Sequence, residues 1–317
     1  FCSAVHADYA VVTAKVTGSE KVGTFIIPSW LPGDKEKEKR NGYVINRIKW
    51  KLGTVELPTA EIDFNGAVAY PIGPTDRGVA NAVGIVLTLS RMAVGVSSAA
   101  MMTRAAREAS LYSEFRDVFG EKISQHPLAA NQLEEIVAAA QRTTAGAFKI
   151  YDLFIKLGRK LQPSLFSDES PEMQKARFDL RELILLQKIF TSFEAADTVR
   201  KAISIFGGHG VIEDFSSLPR LLRDVLVNEL WEGPRNVLLM QIYRDLQRVS
   251  KFYSPTEFVL SLLKGGDETE AKEMAAQFTE ILASSSLTGI DANELKAAAE
   301  WEQLCEKLFR SYQAIAL

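Results

Sequence analysis

Residues 79–107 read VANAVGIVLTLSRMAVGVSSAAMMTRAAR. The run is long, free of proline and rich in Ala, Val, Met and Leu, which predicts a helix buried along most of its length. A membrane span is the competing reading. Arg91, in the middle of the run, would cost about 3 kcal/mol in a bilayer and favours a core helix. Downstream, helical patterns recur at about 128–157, 174–206 and 235–252, separated by breakers. These breakers are a Pro/Ser/Gly loop from Gly158 to Pro171, then Phe206-Gly207-Gly208-His209-Gly210, then Trp231-Glu232-Gly233-Pro234. Upstream the period changes to that of strands. Ala10–Val16 and Gly23–Pro28 are β-branched runs closed by Gly or Pro, and Val55–Phe64 alternates before the Asn65-Gly66 turn signal. Lys35–Arg40 (KEKEKR) reads as a solvated loop. Strands followed by helices predict an α+β chain, not a doubly wound sheet.

The tail from Ser254 holds three shorter helical patterns broken at Gly265-Gly266 and Ser284-Ser285-Ser286. Residues 251–317 carry six Lys/Arg against eleven Asp/Glu, a net of −5. With 317 residues and roughly 150 per domain, the expected organisation is a partial β domain at 1–75, a helical bundle at 76–252 and an acidic helical extension at 253–317. A composition 47% hydrophobic supports a sizeable core, and a formal charge of −3 offers no bulk attraction to nucleic acid or anionic membrane. Cys2 and Cys305 make neither a disulfide framework nor a paired metal site, and His6, His126 and His209 are too scattered for a zinc centre. This fits a reduced compartment and chemistry without protein-bound metal. The start, Phe1-Cys2-Ser3, is not a signal peptide and reads like the middle of a strand.

Three places have the residue types that chemistry needs. The Gly207-Gly208-His209-Gly210 turn lets a backbone approach a ligand and present N–H groups to phosphate, though a helix C-cap explains it as well. Glu232, beside Trp231 and just before a helix, suits a general base with a raised pKa, or a carboxylate serving the helix dipole. Arg116, with Phe119-Gly120 at a helix end, suits either a structural cation or a bidentate phosphate contact.

In combination they are more specific. The order is a β module, a helix ending Tyr112-x-x-Phe115-Arg116-x-x-Phe119-Gly120, then Gly-Gly-His-Gly, Arg223-Asp224 and Trp231-Glu232-Gly233. Over about residues 1–250 this resembles the C-terminal part of the acyl-CoA dehydrogenase family. The resemblance implies a β-barrel-like middle domain, a four-helix bundle and FAD held between them across a subunit interface. It implies a homodimer or homotetramer, an acyl-CoA substrate and an electron-transfer flavoprotein as acceptor. It also implies a cytoplasmic location, or the mitochondrial matrix in a eukaryote.

Roles carry over by position. Glu232 becomes the base that removes the α-proton of an acyl-CoA thioester while the β-hydrogen leaves as hydride to flavin N5. Some members place the base on the long helix before an Arg. Here that position is Ser90, which cannot act as a base. Ser90, Arg91, Trp231 and Gly233 are assigned to the substrate pocket, with helix packing an equal role for Arg91. Phe1 and Ser3 match an aromatic-x-Thr/Ser strand against the flavin. Arg116 matches the pyrophosphate ligand, Phe119 an aromatic at the adenine end, Gly207, Gly208 and Gly210 the adenosine-diphosphate turn, and Asn236 a polar FAD neighbour. An apolar pocket lined partly by Val83–Met102 is expected for the acyl chain. The chain is then expected to begin inside the flavin-contacting strand, with a helical domain preceding Phe1 in a longer parent.

Three usual FAD contacts are replaced, by Pro127, Ser204 and Pro234, with Arg235 available as a substitute charge. Other readings remain open: an acyl-CoA oxidase using O₂, a catalytically silent partner subunit, and a DNA-associated member, for which the acidic tail is the wrong sign.

Overall fold

The computed structural model describes Ser3, residues 5–161 and residues 168–317. The chain forms two compact units, Phe1–Leu87 and Thr88–Leu317.

In the first unit, β1 (Tyr9–Lys15) and β2 (Val22–Pro28) pair antiparallel with Val12 opposite Phe25. Both match the β-branched runs read from sequence. β3 (Tyr43–Ile48) and β4 (Ala60–Phe64) form a separate ladder, bulged between Ile45 and Arg47. The expected strand from Val55 shrinks to β4, because Thr54 is in a left-handed conformation (φ 51°) and Pro58 precedes the pairing. Asn65-Gly66 does turn the chain, but toward β5 (Tyr70–Pro71), which pairs with β2 rather than β4. Buried Asn41 stitches this crossing: its amide donates to the carbonyls of Pro28 (2.8 Å) and Val68 (2.9 Å), and its Oδ1 accepts from Val68 N–H (2.9 Å). The charge run at 35–40 is exposed, with Arg40 lying 4.1 Å over the Trp30 ring. The unit ends in α1 (Gly78–Asn81) and a π-helical segment, Ala82–Leu87.

The second unit is helical. α2 (Thr88–Phe115), α3 (Pro127–Lys156) and α4 (Pro171–Phe206) run against one another. Between α2 and α3 lies a two-residue ladder, β6 (Asp117–Val118) with β7 (Glu121–Lys122). The buried positions of α2 include Gly95, Ser98, Ala99, Met102, Ala105, Ala106 and Ala109, a small-residue stripe that lets its neighbours approach closely. The helix read from residues 79–107 is interrupted here: Gly78–Asn81 is α1, Ala82–Leu87 is π-helical, and α2 buries one face only, leaving Leu89, Val96 and Leu111 exposed. α4 is buried without a break from Glu182 to Ser192, which makes it the central helix. Ser170 caps it, accepting from Met173 N–H (3.3 Å), with Pro171 at the first turn. α5 (Leu218–Asn228) and α6 (Arg235–Val249) pack on α4.

The tail contributes α7 (Pro255–Leu262), α8 (Glu268–Ser284) and α9 (Ala292–Ala314), capped by Ser254, Asp267 and Asp291. Its apolar side chains, among them Phe258, Phe278, Trp301 and Phe309, share one core with Ile184, Leu186, Ile242 and Tyr243. The free Cys305 lies in that core.

Candidate active site

Two places on the helical unit gather the residues singled out in the sequence. The first is the turn between α5 and α6. The chain leaves α5 through Leu230 and Trp231, whose N–H groups both donate to the Val227 carbonyl. It then reverses at Glu232 and Gly233, with φ of 62° and 108°. Glycine tolerates such angles; a left-handed glutamate costs about 1–2 kcal/mol. A side chain at 233 would also collide, since a Cβ there would sit 2.9 Å from Leu238 Cδ2.

The strain is held from both sides. Arg91, buried on α2, donates through Nε to the Glu232 carbonyl (2.8 Å) and through Nη1 to Gln241 Oε1 (3.3 Å). Lys188, buried on α4, donates to the carbonyls of Glu229 (2.9 Å) and Gly233 (2.6 Å). The Glu232 side chain reaches α2, where Ser90 Oγ donates to Oε1 at 2.8 Å. The helix-dipole reading of Glu232 therefore does not describe its carboxylate, which is engaged by Ser90 while α6 starts from Pro234 with no side-chain cap. Trp231 Nε1 is buried without a partner among the described residues.

Burial governs the electrostatics here. It pushes the Lys188 ammonium down to about 8, helped by the Arg91 charge, with Glu232 and Glu229 opposing. Burial also lowers the Arg91 guanidinium, again opposed chiefly by Glu232. Behind Arg91, Glu182 is fully buried and held well above the usual carboxylate range by desolvation and then by Asp245. Arg181 bridges Asp245 at 3.4 Å.

The second place is a cavity of about 500 Å³ at the junction of α2, the β6–β7 hairpin, α3 and the end of α4. Arg116, Phe119, Gly207 and Gly208 all line it, with Tyr112, His126 and His209. Phe119 and Gly120 form the hairpin turn with φ of 51° and 91°, the two left-handed angles of a type I′ turn, and the Phe119 ring is fully exposed. Gly207 caps α4 at φ 56° and its N–H donates to the Ser204 carbonyl, as the C-cap reading expects, and the same turn faces the cavity. Cβ atoms on Gly207 and Gly208 would meet nothing within 4 Å, whereas one on Gly210 would lie 2.3 Å from the Ile203 carbonyl oxygen. Gly210 is thus required by packing. His209 shares a 2.8 Å hydrogen bond with Tyr112 Oη and stacks on Phe215. No carboxylate among the described residues pairs with Arg116, which is exposed at the cavity edge.

Other expected positions fall elsewhere. Asn236 is exposed on the first turn of α6. Arg235 is not a free substitute charge: it pairs with Glu302 of α9 (2.8 Å) and lies over the Phe193 ring. Phe1 lies outside the described residues. Ser3 stands in a turn at φ 53°, its carbonyl accepting from the His6 and Ala7 N–H groups, not in the strand read from sequence. An apolar cavity of about 680 Å³ does open beside the expected helix, lined by Leu89, Met92, Val96 and Thr103 of α2 and by Phe148 and Tyr151 of α3. Ser90 and Glu232 are not among its lining residues. Lys188 was missed from sequence. Its signal was a lysine inside the apolar run Leu183–Phe190, where a charge is almost never buried unpaired.

Comparison with known proteins sets the class. Residues 76–247 match the family described as acyl-CoA dehydrogenase, C-terminal domain. The chain is 34% identical over 252 residues to acyl-CoA dehydrogenase family member 11 of Caenorhabditis elegans, covering 77% of this chain and 38% of that one. The crystal structure of C. elegans ACDH-11 in complex with C11-CoA superposes with a TM-score of 0.77 at 26% identity, over 98% of this chain and 53% of that one. The Bacillus anthracis acyl-CoA dehydrogenase complexed with FAD shares the fold, with a TM-score of 0.76 at 18% identity over 99% of this chain and 55% of that one. The chain belongs to the acyl-CoA dehydrogenase family. It spans between 38% and 50% of the length of the first curated relatives it matches.

Proposed function

We propose that this chain carries the base and part of the FAD-binding surface of an acyl-CoA dehydrogenase that converts an acyl-CoA thioester to the trans-2-enoyl-CoA. The observation that carries the reading is Glu232: a glutamate in a left-handed turn, braced by two buried cations, with its carboxylate held by Ser90 on the neighbouring helix.

The residues present fit FAD. Arg116, which pairs with no carboxylate among the described residues, lines a cavity together with two glycines that have open space where side chains would be. A diphosphate takes this combination, a bidentate cation with close backbone approach. The Phe119 and His209 rings supply apolar faces for a purine. These residues would hold the adenosine-diphosphate portion. The bound flavin would supply the hydride acceptor for the β-hydrogen.

The protein's own part is proton transfer. Ser90 fixes one carboxylate oxygen of Glu232 and leaves Oε2, which has no hydrogen bond among the described residues, to take the α-proton. Arg91 and Lys188 act on the backbone and keep that oxygen in place. A carboxylate so positioned contributes roughly a hundredfold to ten-thousandfold to the rate. Electrons would pass to an electron-transfer flavoprotein, and the Arg116 cavity would serve FAD across a homo-oligomer interface.

The test is anaerobic bleaching of the flavin-loaded protein by acyl-CoA. In Glu232→Gln the Ser90 hydroxyl still meets an oxygen, so the fold is preserved and only the proton acceptor is lost. The bleaching rate should fall by about three orders of magnitude or more. Bleaching within tenfold of wild type removes Glu232 from the role of base, and rapid peroxide formation in air identifies O₂ as the acceptor.

A further inference from the structure

Of the four side-chain hydrogen bonds that reach the Glu229–Gly233 turn from α2 and α4, three go to backbone carbonyls and one to the Glu232 carboxylate. The carbonyls of Glu229 and Gly233 flank the residue, and both accept from the single ammonium of Lys188. The Glu232 carbonyl between them accepts from Arg91. Lys188 is only 1% exposed, lies in the uninterrupted buried stretch of α4 and makes no ion pair within 4 Å among the described residues. A buried lysine whose only hydrogen-bond partners among the described residues are backbone carbonyls is costly and exceptional. Ordinary packing explains it poorly, because a methionine would fill the same space without the desolvation. What the ammonium does that methionine cannot is tie together the two ends of a turn in which Glu232 stands at φ 62°.

We propose that Lys188 is a positioning residue for Glu232: bridging the Glu229 and Gly233 carbonyls, it locks the left-handed turn that aims the Glu232 carboxylate at Ser90. It acts through Glu232 and touches neither substrate nor cofactor. The inference deepens the dehydrogenase reading and rests on it for its kinetic consequence. The structural link from Lys188 to the turn stands without it.

The test compares Lys188→Met with the parent in the flavin-loaded protein. A turn released by about an ångström costs roughly a hundredfold in rate. Anaerobic flavin reduction should fall by about that factor, while the acyl-CoA dissociation constant changes less than about threefold, since ground-state binding does not use the turn. Added to Glu232→Gln, Lys188→Met should lower the residual rate by no more than about threefold, because coupled residues are non-additive. A further fall of about tenfold or more in the double variant overturns the proposal. Hydrogen exchange supplies a readout free of turnover. Amides of residues 229–233 should exchange at least about tenfold faster in Lys188→Met, with α3 unchanged. Unchanged exchange there overturns the proposal whatever the activity. A wild type that acyl-CoA never bleaches, together with the exchange change, overturns the dehydrogenase reading and leaves the Lys188 lock standing. Lys188→Gln, which keeps one N–H donor near the turn, should fall between the two and serves if the methionine variant does not fold.

Discussion

Asp179 of α4 makes a measurable link between the bundle and the tail. It is 6% exposed; its Oδ1 accepts from Tyr253 Oη (2.9 Å) and its Oδ2 from Ser261 Oγ of α7 (2.7 Å). Burial pushes its carboxyl up from 3.8 to about 7, opposed by these two hydrogen bonds and by Lys175. A raised folded-state value means the folded protein holds this proton more tightly than the unfolded chain. The associated stability is therefore present at acid pH and is lost as pH rises through about 7. At about 1.36 kcal/mol per unit, the full shift corresponds to about 4 kcal/mol, of which about 3 kcal/mol falls between pH 5 and pH 8. Asp179→Asn is neutral throughout and keeps an oxygen for Tyr253. The stability difference between wild type and Asp179→Asn, from urea unfolding at pH 5, 6, 7 and 8, should shift by roughly 3 kcal/mol in favour of the variant as pH rises. Other carboxylates cancel in the difference. Parallel profiles across this range would refute the placement of a protonated Asp179 between α4 and α7.

Arg116→Ala should lose roughly tenfold to a hundredfold in FAD affinity, read by flavin fluorescence on dilution, with little change in unfolding midpoint because no carboxylate among the described residues pairs with the side chain. Gly208→Ala should be close to neutral in stability yet weaken FAD retention, since its Cβ would point into open space at the cavity. Gly210→Ala should instead destabilise by about 1–3 kcal/mol, because its Cβ would press on the Ile203 carbonyl. Cys305 should resist thiol reagents in the native state and react on unfolding, because burial raises its thiol well above the ordinary value.

The helical half was legible because its signals are local. Pro171, Ser170, Gly207 and the apolar period mark α4 to within a few residues, and Gly265-Gly266 and Ser284–Ser286 separate the tail helices. The β half was legible in β1, β2 and the second half of the Val55–Phe64 run, which is β4. The pairing of β3 with β4, and the route from Asn65-Gly66 to β5, depend on non-local contacts such as the Asn41 stitch, which no window of sequence displays. At the site, Glu232, Arg116 and the glycines could be placed by motif. Ser90 and Arg91 were motif positions too, but their bonds to Glu232 were not legible, and Lys188 had no motif: it lies 44 residues from Glu232 and Ser90 lies 142 residues away, so only the packing of α2 and α4 brings them together. Arg235 failed for the same reason, since its partner Glu302 belongs to a helix that the motif comparison did not reach.

That last contact ties the unusual features after Glu232 to the tail. Where the resemblance has Thr or Ser after Glu-Gly, a residue type that also caps helices well, this chain has Pro234, and α6 begins with no side-chain cap. The start of α6 is fixed from outside instead. Arg235 is drawn to Glu302 of α9, and Trp301, one residue earlier on α9, donates its indole N–H to the Leu239 carbonyl (3.1 Å). Leu238, against which Gly233 closes, lies between these two anchors. The turn that presents Glu232 is therefore braced by Arg91 and Lys188 on one side and, through α6, by α9 on the other. A tail that enters the bundle core with Trp301 and Phe309 thus also reaches the start of α6, through the Glu302 carboxylate and the Trp301 indole.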